Sequence, residues 1–235
     1  MAIRGILFDK DGTLVDFFGT WIPAYRAAAD LASAVAGNPA LGDRLLRLGG
    51  YDPATGALDP DSLLASGTTL EICDLWAAEA GVPDRETLSR DLHREMEGHV
   101  IVRPVPIADG IADLFRRLAD RGFVLGMATM DGEAVARATA AALDLSELLS
   151  FISGYDSGYG SKPAPGMVRG FCAAAGLLPA EVLVVGDTSR DMHMARAAGA
   201  GMAVGVLTGA TPRAGLAPLA DRVIVSVFDL ESILD

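Results

Sequence analysis

The sequence predicts an α/β protein with a Rossmann-like parallel-sheet core and an inserted all-helical cap domain. From residue 101 onward, short apolar runs alternate with amphipathic helical patterns, which is typical of a parallel sheet covered by helices on both faces. Between residues 17 and 100 the strand pattern is absent and helical periodicity dominates. We therefore expect a core domain over residues 1–16 and 101–235, and a helical domain over residues 17–100.

Composition and charge restrict the function classes. The 235 residues are 51% hydrophobic and 21% charged, as in a folded globular protein. The net charge of −12 argues against nucleic acid or anionic membranes as partners, because their phosphates are met by clustered Lys and Arg. Cys73 and Cys172 lie far apart and suggest buried thiols in a reducing compartment. Asp9 interrupts the first apolar stretch, so a secretory leader is not indicated, and we expect a cytoplasmic protein.

The first strand, over residues 3–8, ends in two acids, Asp9 and Asp11, followed by a Gly-Thr turn. Alternate residues beyond a strand end can face one crevice, so the two carboxylates can share a site. Two like charges held that close need a cation, a shared proton or access to water. The alternative is an ordinary Asx turn with both acids solvated.

The inserted block is predicted as helices joined by short breaks. Thr20 with Pro23 is interpreted as the start of the first helix. Residues 51–60 are predicted as a loop because they contain Pro53, Gly56 and Pro60. The predicted helices cover residues 20–36, 40–48, 69–80 and 84–97.

The core block is predicted as alternating helices and strands whose carboxyl ends form the ligand-binding edge. The predicted strands cover residues 123–129, 151–154, 182–185, 202–206 and 223–225. The predicted helices cover residues 109–120, 132–143, 164–175, 190–198 and 228–234.

Four polar residues fall at or beside these strand ends. Thr129 follows one strand, Lys162 precedes a helix, and Asp187 and Asp191 follow another strand. Lys162 and Lys10 are the only lysines among 19 basic residues, which singles both out. Each has an ordinary alternative explanation: Thr129 can simply form a turn, and Lys162 can be an exposed loop lysine. Asp191 can be an acid in the first turn of a helix, where the helix dipole favours negative charge. Lys10 is interpreted as local charge balance.

Together, the motifs Asp-Lys-Asp-Gly-Thr, strand-Thr, Lys-Pro-x-Pro and Gly-Asp-x-x-x-Asp resemble those of the haloacid dehalogenase (HAD) superfamily of phosphotransferases. The resemblance implies that Asp9 is the nucleophile and that Asp11 is the general acid and base. It also implies that Thr129, the backbone of Met130 and Lys162 bind the phosphoryl group. Related phosphatases commonly have Asn where this chain has Met130, so one side-chain hydrogen bond would be absent.

The resemblance further implies a Mg²⁺ site. Asp9 and Asp187 would provide carboxylate oxygens, Asp11 its backbone carbonyl, and Asp191 a water-mediated contact or an orienting bond to Lys162. The small phosphorylated metabolite that acts as substrate would bind beside this ion. The expected oligomeric state is a monomer or homodimer.

The helical insert resembles the cap of the phosphoglycolate phosphatase-like branch, in which a cap loop contributes to substrate choice. Arg47, Gly49 and Gly50 are therefore candidate substrate contacts, although a surface Arg and an ordinary helix end explain them equally well. Asp11 argues against a dehalogenase, and the lack of a lysine in the insert argues against a phosphonoacetaldehyde hydrolase. A β-phosphoglucomutase-like enzyme and a non-catalytic phospholigand-binding protein remain alternatives.

Overall fold

The computed structural model describes residues 2–234, and the chain divides into two compact units. One unit comprises Met1–Phe17 with Val105–Asp235, and the other comprises Phe18–Pro104. The sequence analysis places the junctions at residues 16 and 101. The second junction lies later because the last helix of the inserted unit continues to Val102 instead of ending at Glu97.

The core unit is built on a parallel sheet, as the sequence predicts. Over the described residues the strands are β1 (Gly5–Phe8), β2 (Val124–Ala128), β3 (Phe151–Ser153), β4 (Val182–Gly186), β5 (Met202–Val206) and β6 (Arg222–Ile224). They lie in the order β3-β2-β1-β4-β5-β6, and each neighbouring pair is parallel. The order reverses at β1, so the carboxyl end of β1 marks the switch point where ligands bind in such sheets.

β1 is buried on both faces. Ile6 and Phe8 belong to one hydrophobic layer, while Leu7 belongs to the layer on the opposite face. The ring of Phe8 packs against Phe115 with centroids 4.6 Å apart. The strand is therefore fixed from both sides, and so is the chain that leaves its carboxyl end.

The inserted unit is helical. Its helices are α1 (Phe17–Ala36), α2 (Leu41–Leu48), α3 (Leu63–Ser66), α4 (Thr69–Glu79) and α5 (Arg85–Val102), with α1 beginning at the last residue of the core unit. Buried aromatic rings link α1 to α4: Tyr25 lies 5.2 Å from Trp21 and 6.3 Å from Trp76, centroid to centroid. A capping box between Thr68 and Glu71 begins α4 by satisfying the first amide groups of the helix.

One sequence prediction for this unit is wrong, and one short helix was not predicted. α1 begins at Phe17, so Thr20 is a buried residue inside the helix and Pro23 is not in the first turn. An interior proline costs about 3 kcal/mol, and burial of the large side chains of Trp21 and Tyr25 offsets that cost. α3 was not predicted because a single turn is too short to show periodicity.

The core unit continues with α6 (Ile111–Asp120), α7 (Glu133–Ala142), α8 (Gly166–Ala175), α9 (Ser189–Ala198) and α10 (Arg213–Leu216). The sequence analysis does not predict the short α10, and the closing helix is a 3₁₀ helix, Val227–Ile233. Among residues 2–234, no helix combines the length and apolar character needed to cross a bilayer.

Candidate active site

The turn after β1 is ordered, and its first acid is buried. The amide of Asp9 donates to the carbonyl of Val185 at 2.8 Å, which extends the β1–β4 pairing one residue beyond the strand. Gly12 has φ of +76°, and a Cβ there would overlap the carboxylate of Asp187. Asp9 is only 8% exposed, so the solvated-turn alternative does not hold for it.

Lys162 joins an acid that follows β1 to an acid in the first turn of α9. Its Nζ lies 2.5 Å from Oδ1 of Asp9 and 2.6 Å from Oδ1 of Asp191, and the lysine is only 3% exposed. An exposed loop lysine is therefore excluded. The ammonium compensates part of the charge of two buried carboxylates, and it is held from both sides.

Asp191 has two structural roles. It lies in the first turn of α9, where its Oδ2 accepts hydrogen bonds from the hydroxyl of Thr188 at 2.5 Å and from the Thr188 amide at 3.1 Å. Its Oδ1 accepts from Lys162. The helix-capping acid and the lysine-orienting acid are thus the same residue, and both of its oxygens are engaged.

Asp187 follows β4 and is 3% exposed. Its Oδ2 accepts the amide of Ala210 at 2.9 Å, while its buried Oδ1 has no hydrogen-bond partner among the described residues. The chain passes so close that a Cβ at Gly209 would overlap the carboxylate. A buried carboxylate oxygen without a partner is costly unless a cation or water binds it.

Three of these acids fit a metal ion. Asp9, Asp187 and Asp191 each offer a carboxylate oxygen, and the three oxygens lie within 4.8 Å of one another. Hard divalent cations such as Mg²⁺ prefer this all-oxygen donor set. The unpartnered Oδ1 of Asp187 makes the same point independently, so the residues present fit a divalent cation.

Burial controls the acidity of the cluster. The pKa of Asp9 is raised to about 7, chiefly by desolvation; Lys162 opposes the rise, and nearby Asp191 and Asp11 contribute to it. Desolvation likewise raises the pKa of Asp187 well above its ordinary value, with Asp9 contributing. For Lys162, burial would lower the pKa, but Asp191 and Asp9 outweigh it and the pKa is raised. Without a bound cation, Asp9 and Asp187 of the folded protein therefore hold protons more tightly than they would in water.

Thr129 lies at the carboxyl end of β2, next to β1, and is 1% exposed. Its amide donates to the carbonyl of Ser153 at 2.9 Å, and its Oγ1 accepts the amide of Asp131 at 3.2 Å. An Oγ1 that already accepts a hydrogen bond can direct its own proton towards a ligand oxygen. Met130 is half-buried in the same turn.

Sequence analysis missed a second buried pair. Lys10 is fully buried, with Nζ 2.7 Å from Oδ1 of Asp11 and 2.8 Å from Oδ2 of Asp131. Burial raises the pKa of Asp131 to about 7, Asp11 adds to this effect, and Lys10 opposes it. The predicted local charge balance accounts for the contact of Lys10 with Asp11 but not for its contact with Asp131. The available signals were the rarity of lysine and an acid two residues after Thr129.

The residues predicted to select the substrate lie in the helical unit. Arg47 is in the last turn of α2, half-exposed, with contacts of 3.8 Å to Asp43 and 3.6 Å to Asp52. Gly49 follows as the C-cap, and Gly50 has φ of +101°, a conformation that favours glycine. Their role in substrate binding stays a prediction.

The fold and site define a class: an α/β enzyme whose buried acids and paired lysine meet at the sheet's switch point. Residues 3–199 match the family model of haloacid dehalogenase-like hydrolases. The chain belongs to the haloacid dehalogenase-like hydrolase family, and it is a hydrolase.

Similarity to individual proteins agrees with this assignment. The phosphoglycolate phosphatase of Escherichia coli K12 is 28% identical over 215 residues, covering 84% of this chain and 79% of that enzyme. A predicted phosphoglycolate phosphatase from Haemophilus somnus has a TM-score of 0.74 at 19% identity, covering 99% and 98% of the two chains. A candidate β-phosphoglucomutase from Thermotoga maritima has a TM-score of 0.72 at 19% identity, covering 99% and 98%. At these identities the two structures show the shared fold.

Proposed function

We propose that this protein is a Mg²⁺-dependent phosphatase that hydrolyses a small phosphomonoester through an aspartyl-phosphate on Asp9. One observation carries the proposal: Asp9 is buried at the end of the central strand, paired with Lys162, within a cluster of acids that fits a divalent cation. A structural ion pair would not require the third acid, Asp187, whose Oδ1 has no partner among residues 2–234.

In the first step, a carboxylate oxygen of Asp9 bonds to phosphorus while the bond from phosphorus to the ester oxygen breaks. Asp11 transfers its proton to that leaving oxygen, which departs as the alcohol. The hydroxyl of Thr129, the amide that follows it and the ammonium of Lys162 hold the remaining phosphoryl oxygens.

In the second step, Asp11 is a carboxylate and acts as the base. It takes a proton from a water molecule whose oxygen attacks phosphorus, and the bond from Asp9 to phosphorus breaks. Inorganic phosphate is released, Asp9 is regenerated as a carboxylate, and Asp11 is again protonated. Atoms and charges therefore balance over the cycle.

Asp9, Asp187 and the backbone carbonyl of Asp11 would hold the Mg²⁺ ion. Because both oxygens of Asp191 already accept hydrogen bonds, Asp191 is assigned to orienting Lys162 and to a water on the ion. When bound, Mg²⁺ neutralises charge on the acids and on the transferring phosphoryl group.

Phosphoglycolate is the first substrate to test, because the E. coli relative bears that name. Arg47, Gly49 and Gly50 are the proposed substrate contacts beyond the phosphoryl group, whereas the backbone amide of Met130 is proposed to contact the phosphoryl group itself. We further propose a cytoplasmic monomer or homodimer. The net charge of −12 argues against nucleic-acid and anionic-membrane partners. The second candidate function is phosphoryl transfer of the β-phosphoglucomutase type, favoured by the fold shared with the Thermotoga protein.

The test is phosphate release from a panel of small phosphomonoesters, with and without Mg²⁺, for the wild type and Asp9→Asn. The proposal expects one ester to be hydrolysed well above the others, with activity lost in EDTA and in Asp9→Asn. A mutase would release little phosphate and would require a bisphosphate activator. Full activity in EDTA or in Asp9→Asn contradicts the proposal. A wild type that binds a phosphorylated ligand but releases no phosphate, with ligand binding unchanged in Asp9→Asn, would indicate a binding protein.

A further inference from the structure

The two acids of the Asp-Lys-Asp motif, Asp9 and Asp11, each form an ion pair with a different lysine. Lys162 lies between Asp9 and Asp191, and Lys10 lies between Asp11 and Asp131. The second Asp–Lys–Asp set links the carboxyl ends of β1 and β2, since Lys10 follows β1 and Asp131 follows β2. We propose that Lys10 and Asp131 form a positioning pair that aims the carboxyl group of Asp11 at the leaving oxygen of the substrate. This inference rests on the proposed phosphatase function.

Burial of Lys10 and Asp131 carries a desolvation cost that argues against a pair without a role. Lys10 is 0% exposed, and removing an ammonium and a carboxylate from water is strongly unfavourable for each ion. Well-packed apolar residues of similar size often replace such pairs with no loss of stability. A buried pair that carries this cost beside the acid it contacts is consistent with a role in fixing the direction of that acid.

The geometry gives that direction. The Nζ atom is within 2.8 Å of an oxygen on each side, so the ammonium is held by Asp131 while it donates to Asp11 at 2.7 Å. An ammonium has three donors on a flexible stem, and a second anchor removes that freedom. Oδ1 of Asp11 is thereby fixed relative to β2, not only to its own turn.

Asp131 also contacts Thr129, the residue proposed to bind a phosphoryl oxygen. The amide of Asp131 donates to Oγ1 of Thr129 at 3.2 Å, while its carboxylate holds Lys10. The turn after β2 therefore fixes both the hydroxyl that would bind a phosphoryl oxygen and the acid that would protonate the ester oxygen. Small displacements of either group are costly to catalysis because proton transfer depends on alignment.

The test uses two substrates that differ in their need for an acid. An alkyl phosphate has a poor leaving group, whereas 4-nitrophenyl phosphate has a good one that departs without protonation. Lys10→Met and Asp131→Asn should lower kcat/KM for the alkyl ester by about 10²–10⁴-fold, the usual contribution of general acid catalysis. The loss in kcat/KM for the aryl ester should be at least about tenfold smaller, because its bond breaks without the acid.

A second readout follows from the base role of Asp11. Hydrolysis of the phosphoenzyme would slow in both variants, so 4-nitrophenyl phosphate should give a burst of nitrophenolate followed by slow turnover. The matched control is Arg137→Met, which removes an exposed ion pair with Glu133 and should leave both substrates unaffected. Thermal melting in the presence of Mg²⁺ establishes that each variant is folded.

The double variant, Lys10→Met with Asp131→Asn, removes both charges and therefore distinguishes positioning of Asp11 from charge compensation. It also replaces a single variant that fails to fold. A positioning role predicts that it folds stably but still discriminates against the alkyl ester. Equal losses on both esters, or recovery of both in the double variant, would overturn the inference while leaving the phosphatase proposal intact. A wild type inactive on every ester would overturn the proposed function, and this inference with it.

Discussion

The ammonium of Lys162 donates to Oδ1 of Asp9 at 2.5 Å although the two residues are 153 positions apart in sequence. The contact brings together the chain that precedes α8 and the turn that follows β1. It gives the proposed nucleophile a fixed cationic neighbour in a site almost closed to solvent. The chemistry of this site therefore depends on long-range folding of the sheet and not on a local motif alone.

Replacing Lys162 with Met should affect stability and catalysis in separable ways. Without the ammonium, Asp9 and Asp191 become uncompensated buried acids, and the free energy of unfolding should fall by about 3–5 kcal/mol. Loss of the phosphoryl contact should lower kcat by about 10²–10³-fold. Denaturant unfolding and steady-state kinetics measure the two effects, and Arg137→Met serves again as the exposed-pair control. Unchanged kcat in a folded Lys162→Met variant would remove Lys162 from the mechanism.

Gly209→Ala should damage the metal site selectively. Gly209 does not have positive φ, so the substitution is not a test of backbone strain, but the new Cβ would overlap the carboxylate of Asp187. Displacing that carboxylate should raise the Mg²⁺ concentration for half-maximal activity by at least about tenfold. Magnesium titration of phosphate release measures this.

The control for that variant is Gly98→Ala within α5, where a Cβ meets open space. It should stabilise the protein by about 0.5–1 kcal/mol and leave the Mg²⁺ requirement unchanged. An unchanged requirement in Gly209→Ala would show that Asp187 is not a ligand.

The metal-free protein should lose stability as pH rises from about 4 to about 7. Asp9 and Asp131 have pKa values of about 7 in the folded protein against 3.8 ordinarily, and that of Asp187 is also raised. In this range the folded state binds more protons than the unfolded state, so the slope of unfolding free energy against pH is negative. The raised pKa values of Lys10 and Lys162 do not contribute, because their stabilisation is fully present below 10.5.

Thermal melting in EDTA at about pH 5 and about pH 7.5 measures this effect, with each kcal/mol shifting the melting temperature by about 2–4 °C. Mg²⁺ should raise the melting temperature at the higher pH, because it binds the ionised acids of the folded state. Asp187→Asn should reduce that rise. A melting temperature that increases with pH in EDTA would contradict the assigned acid cluster.

The sequence predicts the sheet and its edge residues well because buried strands and strand-end acids are local patterns. Asp9 and Asp187 come together because β1 and β4 are neighbours. Alternating helices and strands predict a parallel sheet but not this strand order, so the grouping of these acids with Lys162 was predicted from the family resemblance of the motifs. The sequence alone does not decide whether Asp191 caps a helix or orients Lys162. In the structure one of its oxygens accepts from Thr188 and the other from Lys162.

The Lys10–Asp131 pair was not predicted, because it depends on β1 lying beside β2 and on the burial of Lys10. The rarity of lysine and the acid two residues after Thr129 single out both positions, but they do not show that the two side chains meet. The start of α1 was misplaced for a different reason: local propensity assigns Pro23 to a first turn, whereas tertiary burial of the surrounding aromatic residues decides the outcome.

The most direct test of the account is to trap the covalent intermediate. Asp11→Asn should still accept a phosphoryl group from 4-nitrophenyl phosphate, since that leaving group needs no acid, but should hydrolyse it slowly. Acid quenching followed by intact-protein mass spectrometry and peptide mapping should find one phosphoryl group on Asp9. A nitrophenolate burst with no covalent adduct, or an adduct on another residue, would contradict Asp9 as the nucleophile.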